Sequence, residues 1–446
     1  MNIVQITPGA GAMVCGNCLR DNALVAALRK LGHEVLMVPL YLPLTLDEAD
    51  QSAGTPIFFG GVSVYLEQKS ALFRHQPKWL HRLLARPAML KWAAGRAAKT
   101  RAQDLGELTL SMLRGEDGKQ ARELDELIAW LKQHRHPDVI CLSNALLLGL
   151  ARRLKTELQT SVVFTLQGED SFLDSLPEPH RAACWRTVAE RAAEVDLFIA
   201  PSRYFGDLMR DRLKLPAGKV RVVFNGIALA GFATESRASS VESKPIIQPS
   251  TPVLGYFARM CKEKGLDTLV ETFILLKRRG RVPLLKLHIG GSCGPGDEAF
   301  VKELRRRIAH AGYIGETAFF PNLSRAEKLD FLHSLTVFSV PARYGEAFGL
   351  YVVESLAAGV PVAQPRTAAF PELIEATGGG VLCEPGDPRA LADAIEPLLL
   401  NPERASALGE AGRRAVFEKF SAEAMAAKTL RAFAGICAPA DSVRPP

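Results

Sequence analysis

Residues 337–358 read VFSVPARYGEAFGLYVVESLAA, and the rest of the chain is organised around them. A β-branched run at 337–340 predicts a short strand, Glu346 falls in the following loop, and a helix is expected to open near Gly349. Gly345 and Gly349 let backbone approach a ligand with no Cβ in the way. The helix start would turn its free N–H groups and positive dipole end toward an anion, phosphate above all. Glu346 and Glu354 stand eight residues apart, one in the loop and one inside the helix. Two carboxylates beside an anion site suit a ligand that flanks phosphate with hydroxyls, as a nucleotide-sugar does. The plainer alternative is a solvated glutamate in a surface loop ahead of an ordinary helix.

The neighbouring residues favour the ligand. Glu346-Ala-Phe-Gly-Leu350 and Glu354-Ser-Leu-Ala-Ala-Gly-Val-Pro361-Val are followed by Pro371-Glu372, then by Gly380-Val-Leu-Cys-Glu-Pro-Gly-Asp387. This ordered series resembles the signature of the retaining glycosyltransferases of family 4. The resemblance implies an α/β chain with GT-B architecture: two Rossmann-like parallel-sheet domains facing across a cleft. It further implies that Glu346 holds the donor sugar's hydroxyls and Glu354 the ribose, with amides at Phe348, Gly349 and Leu350 on the diphosphate.

A chain of 446 residues with 48% apolar content is long enough for two cores. No run of about 18 apolar residues occurs, so no membrane-spanning segment is expected. The start, MNIVQITPG, enters a strand directly without the pattern of a secretory leader, and a cytoplasmic location is expected. Eight scattered cysteines argue for free thiols over a disulfide framework. A net charge of +7 points to an anionic partner.

The first half opens as strand (2–6), glycine-rich turn (8–16), helix (17–31) and strand (34–39). The glycines miss the dinucleotide fingerprint, since Val14 stands where a third glycine would follow Gly9 and Gly11, which argues against a dehydrogenase. Cys15-Gly-Asn-Cys18 lies in the turn; a thioredoxin-like or metal reading competes with that of a loop holding two small residues, which is preferred. Residues 71–103 carry eight Lys/Arg and no acid, interleaved with Trp79, Trp92 and several leucines. A helical excursion of the first domain is preferred there over an interfacial membrane segment, because Pro87 interrupts the apolar face. Further strands are expected at 138–142, 161–166, 196–200 and 220–224, with a helix at 122–134. The resemblance puts the acceptor against Gly11, Gly16, Asn144, Gln167 and Asp170. Gln167 stands where the family usually has histidine; an amide hydrogen-bonds a hydroxyl but does not titrate.

A polar Ser/Pro-rich stretch at 233–251 marks the domain boundary, giving domains at 1–232 and 252–420, which the resemblance implies take the acceptor and the donor in turn. Strands are expected at 253–257, 285–290, 318–321 and 359–363, and helices at 388–400 and 404–419. Residues 421–437 read as a helix, which the resemblance implies crosses back to the first domain, and 438–446 as a disordered tail. After the strand at 253–257 comes Ala-Arg259-Met-Cys-Lys-Glu-Lys264-Gly, which matches the family's Arg…Lys-Gly motif and implies a diphosphate held by Arg259 and Lys264. Lys262 is the competing cation. Gly290 is expected near the crevice, and Asn322 and Leu323 where the family cradles the base. Thr367-Ala-Ala-Phe370 replaces the glycine pair usual before Pro371.

The expected activity is transfer of a hexosyl group from a nucleotide-diphosphate sugar to a carbohydrate, lipid-linked or small-molecule acceptor. No metal or other cofactor is expected, because cations and amides neutralise the diphosphate. Peripheral contact with an anionic membrane is a further alternative that the basic stretch motivates, and nucleic-acid binding is not expected. The rival reading is a non-catalytic nucleotide-sugar sensor or scaffold, motivated by Gln167.

Overall fold

The computed structural model describes residues 1–9, 15–46, 48–59, 102–232 and 251–437. Gly11, the basic stretch at 71–103 apart from its last two residues, nearly all of the expected linker at 233–251 and the tail at 438–446 lie outside them.

The chain forms two compact α/β units. The first, residues 1–224 with 423–446, holds β1 (Asn2–Thr7), β2 (Glu34–Pro39), β3 (Val139–Ser143), β4 (Ser161–Thr165), β5 (Leu197–Ala200) and β6 (Val220–Val222). Every pairing is parallel, in the order β2-β1-β3-β4-β5-β6. The second, residues 225–422, holds β7 (Val253–Phe257), β8 (Lys286–Gly291), β9 (Thr317–Pro321), β10 (Val337–Phe338), β11 (Val362–Pro365) and β12 (Gly380–Cys383). Its parallel order, β12-β11-β10-β7-β8-β9, is the 3-2-1-4-5-6 order of dinucleotide-binding sheets. Both sheets are thus Rossmann-like, as expected. The central strands are largely apolar and buried because helices cover both faces of a parallel sheet; all five residues of β3 are buried.

The sheet orders locate the ligand-binding edge. In an open α/β sheet ligands bind beyond the carboxyl ends of strands, where neighbouring connections leave in opposite directions. That point falls between β1 and β3 in the first unit and between β7 and β10 in the second.

Strand β10 is two residues long, shorter than the 337–340 expected. Ser339 N–H still donates to Gly255 O, but Pro341 brings no donor and Ala342 turns back onto Val340 O at 2.8 Å. The units divide at residue 224, ahead of the boundary placed at 233–251, because residues 225–232 are tied to the second unit. Ile227 N–H donates to Phe420 O and Ala422 N–H to Ile227 O, while Arg325 donates to the carbonyls of Ala228 and Ala230. The last helix, Ala422–Ala434, passes into the first unit, where Glu423 pairs with Lys30 at 3.2 Å. Among the described residues no helix is long and apolar enough to cross a membrane.

Candidate functional site

Two loops at the switch point of the second sheet bring the conspicuous side chains together. The loop after β7 carries Arg259 and Lys264 and ends at Gly265, which caps the helix Leu266–Arg279. The loop after β10 carries Tyr344 and Glu346 and ends at Gly349, which caps the helix Leu350–Ala357. Both capping glycines are left-handed, with φ of 71° and 95°, a region an L side chain adopts only with strain. The loops are tied to one another. Arg343 N–H donates to Glu263 O at 2.9 Å, and the Arg343 guanidinium reaches Asp267 and Thr268, each at 3.0 Å. Gly265 lies so close to Pro341 O that an added Cβ would sit 1.9 Å from it.

This juxtaposition joins residues 82 apart: Lys264 Nζ lies 2.6 Å from Glu346 Oε2. The hydroxyls of Tyr351 and Tyr344 donate to the same oxygen at 2.7 and 3.2 Å. Their rings flank the ammonium, with centroids 5.1 and 4.8 Å from Nζ. Burial, reinforced by the Glu346 charge, pushes both phenols well above their ordinary range, so they stay protonated donors. The lysine and glutamate side chains are only 19% and 13% exposed, so the pair is largely withdrawn from water. The first amides of the helix Leu350–Ala357 have no acceptor inside it, which leaves a dipole end at this loop.

Arg259 makes a two-pronged pair with Asp297: Nε and Nη2 each donate at 3.0 Å to separate carboxylate oxygens. Asp297 is buried and accepts a further bond from Gly294 N–H, whereas the arginine side chain is 61% exposed and presents its other face to solvent. Glu354 pairs at 3.0 Å with Lys328, whose side chain is 7% exposed. Arg259, Lys264 and Lys328 are thus paired with Asp297, Glu346 and Glu354. Asp297, Lys328, Tyr344 and Tyr351 are absent from the sequence-derived set. Tyr351 lies in the first turn of the helix while Glu346 lies in the loop before it, so no helical spacing links them in sequence, and a buried lysine shows no pattern until its partner is seen.

Two expected donor residues have other duties. The Asn322 amide is bound to the backbone of Cys293, accepting from its N–H at 3.1 Å and donating to its carbonyl at 3.3 Å, so it fastens the loop after β8. Gly290 is required by packing: a Cβ there would meet the Phe257 ring at 2.7 Å and the Phe331 ring at 3.1 Å. Leu323 is half-buried beside Asn322, Phe348 is buried, and Gly349 and Leu350 form the helix start.

In the first unit Gly16 begins the helix Gly16–Lys30, and Asn144 follows β3 at φ 111°, its side chain capping Leu146 N–H at 3.0 Å. These two flank the switch point between β1 and β3. A buried ion pair, Arg20–Asp21 at 2.9 Å, also receives the Ser143 hydroxyl there. Gln167 and Asp170 lie one strand further on, beyond β4, separated by Gly168 at φ 96°. Gln167 Nε2 and Asp170 Oδ1 are buried without a hydrogen-bond partner. Between them Glu169 is buried, its carboxylate accepting from Gln167 N–H at 2.9 Å and Gly168 N–H at 3.1 Å. Burial raises this carboxyl to about 7, against the pull of those donors. Among the described residues no three His, Cys, Asp or Glu are grouped to hold a metal ion.

Known proteins carry the same organisation. Residues 109–230 match the family described as "Glycosyltransferase Family 4", and residues 241–415 match "Glycosyl transferases group 1". The GDP-mannose-dependent alpha-(1-6)-phosphatidylinositol monomannoside mannosyltransferase of Mycobacterium tuberculosis is 28% identical over 220 residues, covering 48% of this chain and 55% of that protein. The lipopolysaccharide core biosynthesis mannosyltransferase LpsB of Rhizobium meliloti is 29% identical over 212 residues, covering 45% and 57%. The chain therefore spans little more than half the length of these relatives. Among solved structures, sucrose-phosphate synthase from Thermosynechococcus elongatus superimposes with a TM-score of 0.68 at 20% identity, over 98% of both chains. HepE of Anabaena, in complex with UDP, does so with a TM-score of 0.66 at 16% identity, over 98% of this chain and 100% of that one. The ordered motifs, the paired Rossmann-like sheets and these matches lead to one assignment: the chain belongs to glycosyltransferase family 4.

Proposed function

We propose that the protein transfers a hexosyl group, with retention of configuration, from a nucleoside-diphosphate sugar to a glycan, lipid or small-molecule acceptor. The observation that carries this reading is the convergence of Arg259, Lys264 and Glu346 on one switch point, beside the amide-rich start of a helix. Charge that develops on a departing diphosphate needs preset donors where water is excluded. Arg259 offers its solvent-facing side, already oriented by Asp297, and Lys264 follows in the same loop, tied through Glu346 to the loop that ends in the amides around Gly349 and Leu350. Glu346 hydrogen-bonds sugar hydroxyls while keeping its Oε2 contacts, and Glu354 holds the ribose. Arg259 and Lys264 meet the diphosphate with the N–H donors that their carboxylate partners leave over. The leaving phosphate takes the acceptor's proton, so a glutamine at position 167 is compatible with turnover; its unpartnered amide is available for a hydroxyl. In this scheme cations and amides fill the place of a metal. A donor such as GDP-mannose or a UDP-sugar is suggested by the names of the mannosyltransferase relative and the UDP complex.

The test pairs thermal melting with a transfer assay, using UDP-, GDP- and ADP-sugars on the intact chain and on Glu346→Gln. One donor should raise the melting temperature and be consumed when an acceptor extract is added, and the variant should lose most of the turnover. A donor at a hundred times its Kd adds about 2.7 kcal/mol of stability. Binding of a donor that is never turned over with any acceptor would favour the second reading, a nucleotide-sugar sensor, for which Gln167 in place of histidine is the supporting residue.

A further inference from the structure

Tyr344 and Tyr351 both direct their hydroxyls at Glu346, and both at the same one of its two oxygens. Oε2 accepts from Lys264 Nζ at 2.6 Å, from Tyr351 at 2.7 Å and from Tyr344 at 3.2 Å. A carboxylate oxygen has two lone pairs, so three donors saturate it. Among the described residues nothing donates to Oε1, which is not shut off from solvent either. The backbone of Glu346 is fixed as well, its carbonyl accepting from Ala369 N–H at 3.2 Å. The Tyr351 ring is set apart from these bonds, with the Phe338 and Phe370 rings at centroid distances of 6.3 and 6.4 Å. An ammonium has three N–H groups and can turn toward a second acceptor, whereas a phenol has one O–H and here it is committed. The two tyrosines therefore hold Oε2 whatever Lys264 does.

We propose that Tyr351 and Tyr344 are positioning residues for the donor sugar: by occupying Oε2 they present Oε1 of Glu346 to the sugar as a pure acceptor, and they keep it there when Lys264 engages the diphosphate. This rests on the reading that Glu346 meets the sugar. The site then takes a sugar that donates a hydroxyl at that point, and binding does not have to order the glutamate first, because the folded loop has already done so. The same three donors decide how an amide stands at this position. In Glu346→Gln the side-chain carbonyl takes the place of Oε2, since an NH2 there would face three donors, and the NH2 takes the place of Oε1. That variant offers a donor where the sugar needs an acceptor.

Calorimetric titration of the intact chain with UDP and UDP-glucose, and with GDP and GDP-mannose, separates the sugar from the nucleotide. Tyr351→Phe keeps the ring and removes only the O–H. It should weaken the sugar-bearing ligand about tenfold and the matching diphosphate by less than about twofold. Tyr344→Phe, which loses the longer bond, should show the same pattern with a smaller loss. In the Glu346→Gln background Tyr351→Phe should change the affinity by no more than about twofold, since a phenol that acts only through the carboxylate has nothing left to position. Equal weakening of nucleotide-sugar and diphosphate, or of neither, would overturn the inference. So would an undiminished loss in the Glu346→Gln background, which would make the phenol itself a sugar ligand. Failure of the unsubstituted chain to bind any of the four ligands would count against the donor reading itself and take the inference with it.

Discussion

Glu169 shows at the scale of one residue how burial changes a side chain's chemistry. It is enclosed beyond β4, and its carboxyl is raised from the ordinary 4.5 to about 7 by desolvation. Below pH 4.5 it is neutral in the folded and unfolded chain alike, and its contribution to stability is fully present. As pH rises toward 7 the unfolded chain releases the proton and the folded chain keeps it, so stability is lost across that window. At 1.36 kcal/mol per unit the loss is at most about 3 kcal/mol. Glu169→Gln retains an acceptor for the N–H groups of Gln167 and Gly168 without the ionisation. Urea unfolding at pH 4.5 and pH 8 should therefore show the variant gaining on the native protein as pH rises. An equal gap at both values would contradict the assignment. None of this could be read from Gln-Gly-Glu-Asp, because a carboxyl's surroundings are not written in its neighbours along the chain.

The two loop-and-helix elements at the edge of the second sheet owe their fit to backbone. Gly265 meets Pro341 O in the neighbouring loop, and its φ of 71° excludes an ordinary side chain. Gly265→Ala should cost more than about 2 kcal/mol and separate Lys264 from Glu346, since it combines a left-handed alanine with a clash. Gly280→Ala supplies the comparison. That residue has φ 69° with nothing within 4 Å of an added Cβ, so it should cost only the conformational strain, about 1 kcal/mol. Guanidinium unfolding of the two variants measures the difference, and equal losses would rule out the interlocking role. The helix at the end of the decisive stretch was legible from Gly349 and the apolar spacing after it. The strand before it was overextended by two residues, because the β-branched run continues past the point where Pro341 and the turn at Ala342 end the ladder.

At the scale of the molecule the charged residues proposed to hold the donor, Arg259, Lys264, Glu346 and Glu354, and their partners Asp297 and Lys328 all fall between residues 225 and 422. That unit has its own six-stranded sheet and core and is continuous in sequence, as an independently folding domain requires. Expressed alone, it should bind the nucleoside diphosphate of the preferred donor within roughly tenfold of the intact chain, or 1.4 kcal/mol, and should transfer nothing. Calorimetric titration of the folded fragment checks this. A folded fragment with no affinity would place an indispensable donor contact in residues 1–224 or 423–446.

The sequence by itself determined the alternation of strands and helices, the ordered motifs of the second half, and Arg259, Lys264, Glu346 and Glu354 as its charged candidates. The alternation rests on side-chain periodicity and on glycines where the chain must turn, which are local properties, and the motifs with their charged residues rest on a resemblance to a known family. Only the tertiary structure decided that Lys264 meets Glu346 under two tyrosines, that Asp297 orients Arg259, and that Lys328 lies buried against Glu354. It also decided that Asn322 serves a loop and Gly290 a packed ring. Charge pairing and desolvation act through space over a few ångströms, between residues that the order of strands brings together from as far as 82 positions apart.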